Sequence, residues 1–139
     1  MLLDYLNMFS EQQPITSAAA SQKSIDLGPG FPLSGNSNGV TEMEIAVIPI
    51  EDVAPTTGTL TIEVRTSNER GDDGKLVNPV TLATSGPIPA ASLKAGARIP
   101  NMLRVPPAAK RYIDLNYVPS AAFTAGKITA GLVVTAPTI

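Results

Sequence analysis

Apolar and polar positions alternate most cleanly in the last quarter of the chain. Ile113, Leu115 and Tyr117 alternate with Tyr112, Asp114 and Asn116, and Ile128, Ala130, Leu132 and Val134 alternate with Lys127, Thr129, Gly131 and Val133. A period of two predicts two antiparallel strands with one buried face, joined through the turn-rich residues 119–125. Two strands cannot stand alone in water, so the rest of the chain must cover that face. Gly58–Ser67 repeats the pattern, with Leu60, Ile62 and Val64 inward and Thr59, Thr61, Glu63 and Arg65 outward. Met43, Ile45 and Val47 alternate with Glu42, Glu44 and Ala46, which turns both glutamates to water. Weaker strands are expected at Ile15–Ala18, Ser24–Leu27, Val77–Thr84 and Ile99–Val105, and Pro79 marks its strand as an edge or bulge.

The intervening residues punctuate. Pro49 and Pro55 bracket a break, Asn68–Gly74 is a polar turn, Ala91–Gly96 suits a single helical turn, and Leu27–Gly39 reads as a long loop. About eight short strands between turn signals predict an all-β jelly roll or β-sandwich. The start differs. Leu2, Leu3, Leu6 and Phe9 fall at roughly helical spacing before Pro14, so residues 1–13 read as a short helical or extended arm and 14–139 as the jelly-roll domain. So short a helix is marginal alone and must dock, either on its own domain or on a neighbouring subunit.

Composition narrows the chemistry. The 139 residues suffice for one domain with its own core. Cysteine and histidine are absent, which removes disulfides, thiol chemistry, the usual general base and the commonest metal ligand. Tryptophan is also absent, and three Phe and three Tyr give little material for an aromatic stacking platform. No apolar run approaches the roughly 18 residues of a membrane span. The first nine residues lack a basic region and contain Asp4 and Asn7, so they do not read as a secretion signal, and synthesis in the cytoplasm is expected.

The net charge of −2 is unevenly spread: residues 1–73 carry eleven carboxylates against three cations, and residues 74–139 seven cations against Asp114 alone. Either folding mixes the halves, or the basic residues form a patch for an acidic partner. A patch for nucleic acid is disfavoured, because the cations are scattered without aromatic interleaving and the pI is about 5.0.

Candidate catalytic and ligand motifs fail on spacing. Glu69, Asp72, Asp73 and Gly74 do not follow the calcium-loop order, and a solvated turn explains them. Gly126-Lys127 lacks the preceding glycine, the following Ser or Thr and the helix of a phosphate loop. Gly28-Pro-Gly30 lacks the spacing of a dinucleotide fingerprint. Glu42 and Glu44 share a strand face, as solubilising pairs do, and no histidine exists to activate a serine or threonine. Neither enzyme activity nor a cofactor is expected.

Several stretches, taken together and in order, resemble a family of tailed-bacteriophage capsid cement (decoration) proteins. Phe9–Thr16 and Ser24–Gly28 look like that family's opening, Leu60–Ser67 like its central strand, and Lys110–Tyr117 with Phe123–Val133 like its closing hairpin. Residues 28–39 and 86–107 depart from it. The resemblance implies a jelly-roll subunit, homotrimeric, that sits on the outer capsid surface of the virion. There it would clamp copies of the major capsid protein at local three-fold positions, with no cofactor, no catalysis, no direct nucleic-acid contact and no membrane. Such a protein stabilises the shell by binding only its assembled form, and repeated contacts add through avidity. The contact candidates are Leu2, Leu3, Leu6 and Phe9 in the arm, and Arg98, Arg104, Lys110 and Arg111 toward acidic capsid surface. The plainer reading of those four is solvation of strand edges, where cations discourage edge pairing. A carbohydrate-binding or host-attachment β-sandwich of a virion is the alternative; it would need exposed loop aromatics, for which Phe31 and Phe123 are the candidates.

Overall fold

Phe9 is completely buried, and the strand that carries it is the first described element. The structure is a computed structural model that describes residues 8–26, 43–96, 103–104 and 110–134. Strands β1 (Met8–Pro14), β2 (Ala19–Ala20), β3 (Ile25–Asp26), β4 (Met43–Ala54) and β5 (Thr59–Ser67) are followed by β6 (Val80–Thr84) and β7 (Ile88–Pro89). A 3₁₀ turn at Ala90–Ser92, then β8 (Leu103–Arg104), β9 (Tyr112–Pro119) and β10 (Ala125–Val134) complete the described elements. One sheet has the order β1-β10-β4-β8; the other has β2-β9-β5-β6, with β3 also on β9 and β7 on β5.

With β2 and β3 taken as one interrupted strand, the antiparallel pairs nest: β1 with β10, β2/β3 with β9, β4 with β8, and β5 with β6. A chain paired in this nested way is a long hairpin rolled over on itself, which is a jelly roll. Its core is the inner faces of the two sheets. Ile45, Val47, Ile128, Ala130 and Leu132 from the first meet Leu60, Ile62, Val64, Ile113, Leu115 and Tyr117 from the second, none more than 4% exposed.

The strands β9 and β10 form as their alternation predicts, but they are not a hairpin. They lie in opposite sheets, and residues 120–124 cross from one to the other. Backbone bonds anchor the crossing: Ser120 N–H to the Thr59 carbonyl, Phe123 N–H to Thr16 and Thr124 N–H to Ala54. Phe123 closes the core there at 3% exposure, so it is not an exposed loop aromatic. Gly126 permits the close approach where β10 starts. Its φ is +142°, and a Cβ there would stand 3.0 Å from Val53 Cγ2 and 3.3 Å from Ile15 Cγ1.

Of the two forms expected for residues 1–13, helical or extended, the described part takes the extended one. From Met8 onward the backbone is strand, hydrogen-bonded along β10, with register shifts on both sides of Ser10. A short helix would leave its terminal backbone groups to water, whereas the edge of β10 satisfies a strand's groups and seats Phe9 in the core. Of the two docking options, Phe9 takes its own domain. Leu2, Leu3, Leu6 and the 27–39 loop lie outside the described residues. Ile15 is buried in the bend after β1 and belongs to no strand. Pro49 does not break β4; it is buried opposite Ile128 in the β4–β10 ladder, and its carbonyl accepts from Gly96 N–H.

Candidate interaction face

The outward face of β9 and β5 gathers the polar groups that alternation turns away from the core. Asp114 is among them, yet it is only 1% exposed. Arg65, directly across the ladder, covers it with a bidentate pair: Nε donates to Oδ1 at 3.0 Å and Nη2 to Oδ2 at 2.7 Å. Burial raises the Asp114 carboxyl above its ordinary value, and the Arg65 hydrogen bonds and charge, with Lys75, offset this only in part. Asp114 is therefore a structural ion-pair partner, not the outward contact group that its strand position suggests.

Lys75 comes from the connection between β5 and β6, which folds back toward this face. A tight turn shapes it: Gly71 N–H bonds the Lys75 carbonyl, Gly74 N–H bonds the Gly71 carbonyl, and the Asp73 carboxylate accepts from Lys75 N–H. The turn is tied down by Lys75 Nζ on the Ser21 carbonyl at 2.8 Å and by Ser24 Oγ on the Gly74 carbonyl at 2.9 Å. Asp73 thus works as a turn cap. Among the described residues, no group of three or more carboxylate side chains is placed to hold a metal.

The same turn delivers Arg70 to Tyr112. The Arg70 guanidinium carbon lies 4.6 Å from the ring centroid, and that of Arg111 lies 4.9 Å from it. Arg111 also makes a bidentate pair with Asp26, both bonds 3.0 Å, and this hydrogen bonding raises the guanidinium's pKa. Arg70 touches Ser24 Oγ at 3.5 Å and has no carboxylate partner among the described residues. Ion pairs thus join the acidic and basic halves of the sequence, Arg65 to Asp114 and Asp26 to Arg111. The halves are mixed at this face.

Of the four cations singled out from the sequence, two lie at this face and one in the other sheet. Lys110 and Arg111 enter β9 here, with Lys110 N–H held by Thr66 Oγ1 at 2.7 Å. Arg104 lies in the other sheet, opposite Glu44 in the β4–β8 ladder, and Arg98 lies outside the described residues. Sequence reasoning missed Arg70 because it sits in a turn that read as solvated. Its one signal was an arginine set among loop carboxylates.

A second polar cluster is internal. Tyr117 is fully buried, and its hydroxyl meets Ser10 Oγ at 2.8 Å; Ser10 donates to Gln13 Oε1 at 2.6 Å, and Gln13 Nε2 donates to the Ala20 carbonyl at 2.8 Å. Burial pushes the phenol's pKa far up, so it stays neutral and serves as a hydrogen-bond link between β1, β2 and β9. No described buried side-chain polar atom lacks a partner. These polar groups inside the domain hold β1, β2 and β9 together.

No helix among the described residues is long and apolar enough to cross a membrane. No curated protein matches the chain. The family model described as Bbp16 matches residues 9–132, from the buried Phe9 of β1 to Leu132 of β10. That span takes in both sheets, and the chain belongs to the Bbp16 family.

Proposed function

We propose that this chain is a structural virion protein that binds the outside of a tailed-phage capsid as a homotrimer. In this role it cements neighbouring major capsid protein subunits and stabilises the mature shell. The observation that carries the reading is the character of the described surface. Among the described residues every buried polar side-chain atom has a partner, while β6, the last strand of its sheet, presents an uncharged edge. Val80–Thr84 contains no charged residue, and Val80 and Val77 beside it are 52% and 38% exposed. Uncharged, apolar strand edges favour pairing with another chain, and soluble proteins ordinarily blunt them. The resemblance of the β1, β5, β9 and β10 sequences to capsid cement proteins supplies the partner.

The experiment is co-sedimentation with purified mature shells at rising salt. Docking through the cations of the β9 face predicts occupancy that falls between low and moderate ionic strength, where the screening length contracts toward ~10 Å. Occupancy that stays flat would assign the contact to apolar surface such as the β6 edge. A chain lacking residues 2–7 tests the arm separately, because it keeps Phe9 and all of β1. Loss of shell binding with an unchanged melting temperature is expected; undiminished binding would remove the arm from the interface. Absence of binding by the full chain at any salt would sink the reading.

A further inference from the structure

We propose that Arg70, seated on Tyr112, is a docking point for a carboxylate side chain on the surface of a partner protein. Arg70 and Arg111 share one aromatic ring, but their electrostatic needs are met differently. Arg111 has Asp26 in a two-bond pair, whereas Arg70 has no carboxylate among the described residues and only the long contact to Ser24 Oγ. Its guanidinium nevertheless has a fixed seat. The ring lies 4.6 Å away, and the turn that carries Arg70 is anchored by Ser24 on Gly74 and by Lys75 on Ser21. A guanidinium stacked in this way loses little further freedom when a carboxylate arrives, and its planar fork matches carboxylate geometry.

The surroundings select the ligand class. Arg70 borders an open cleft formed with Gln22, Lys23, Ser24, Asp72 and Asp73. Carboxylates at Asp26, Asp72 and Asp73 thus interrupt the positive charge of Arg70, Arg111 and Lys110. Nucleic acid, whose phosphates sit at fixed spacing along a stiff backbone, would meet repulsion at each interruption, while a carboxylate on a flexible protein side chain can reach Arg70 and leave its neighbours in water. The inference rests on this geometry and not on which assembly supplies the partner.

The test is a titration of the intact, isolated chain with hexaglutamate and, separately, hexaglutamine peptide, followed by amide shifts in NMR. Hexaglutamate is expected to move the resonances of Ser24, Arg70, Gly74 and Tyr112, and hexaglutamine is not. Arg70→Gln should weaken hexaglutamate binding about tenfold, the scale of one lost charge-assisted pair. Arg70→Lys, which keeps the charge but not the planar fork, should fall between. Arg70 is exposed, so these variants keep the fold, which the unperturbed remainder of the spectrum verifies. Equal binding of both peptides, no effect of Arg70→Gln, or tighter binding of a hexanucleotide at the same residues would each overturn the proposal. No shells are used, so the outcome is independent of the shell-binding experiment.

Discussion

Replacing Arg65 with methionine should destabilise the fold by about 3 kcal/mol at neutral pH, the lower end of what breaking a buried ion pair costs. The lower end applies because the Arg65 side chain keeps 19% exposure, while the carboxylate left behind, at 2%, has almost none. The loss should be pH-dependent, with a definite sign. Asp114 already titrates above its ordinary value in the folded protein, and Arg65 is the main influence pulling it down. Without Arg65 the folded carboxyl rises further and binds its proton more tightly than the unfolded chain does. Acidification then favours the folded variant: recovery begins as pH falls through the raised folded value and is complete below the unfolded value of about 3.9. Urea unfolding of both proteins at pH 7 and near pH 4.5 checks this. A deficit of the same size at both pH values would mean that lost packing, not a stranded carboxylate, is responsible.

Phe9→Ala should cost about 3–5 kcal/mol, the range for removing a buried phenylalanine. The residue is completely buried in the main core cluster, on a strand whose register along β10 is already irregular. Denaturant midpoints of the variant and the parent measure the loss; a change under about 1 kcal/mol, the scale of an exposed-site substitution, would place Phe9 outside the core. The same reasoning separates the core from the arm. A deletion through residue 9 confounds folding with binding, whereas one that stops at residue 7 does not touch β1.

The inward faces of β4, β5, β9 and β10 were legible from alternation, because strand geometry places every second side chain on one side whatever the sheet order. Which strands pair was not. Residues 119–125 carry turn signals suited to a hairpin, and nothing local distinguishes a turn within one sheet from a crossing between two. The choice between helix and extended chain at Met8–Pro14 was open for a related reason. The spacing of Leu2, Leu3, Leu6 and Phe9 matches a helix, but the free edge of β10, far along the chain, decides the backbone of this segment. Asp114 illustrates the limit of reading a face as solvent. Period two correctly turns it outward, and only the fold shows Arg65 lying over it and Lys75 near enough to act on its charge. Arg70 was hidden for the same reason, since its partner ring belongs to β9.

The central claim, that this Bbp16-family jelly roll is a capsid cement protein, is tested most directly by the protein content of purified intact particles. Quantitative mass spectrometry of washed tailed-phage virions should find this chain at a fixed ratio to the major capsid protein, and intact shells stripped of it should dissociate under milder heating than decorated ones. Its absence from washed particles, or a ratio that varies between preparations while the shells stay equally stable, would contradict the claim.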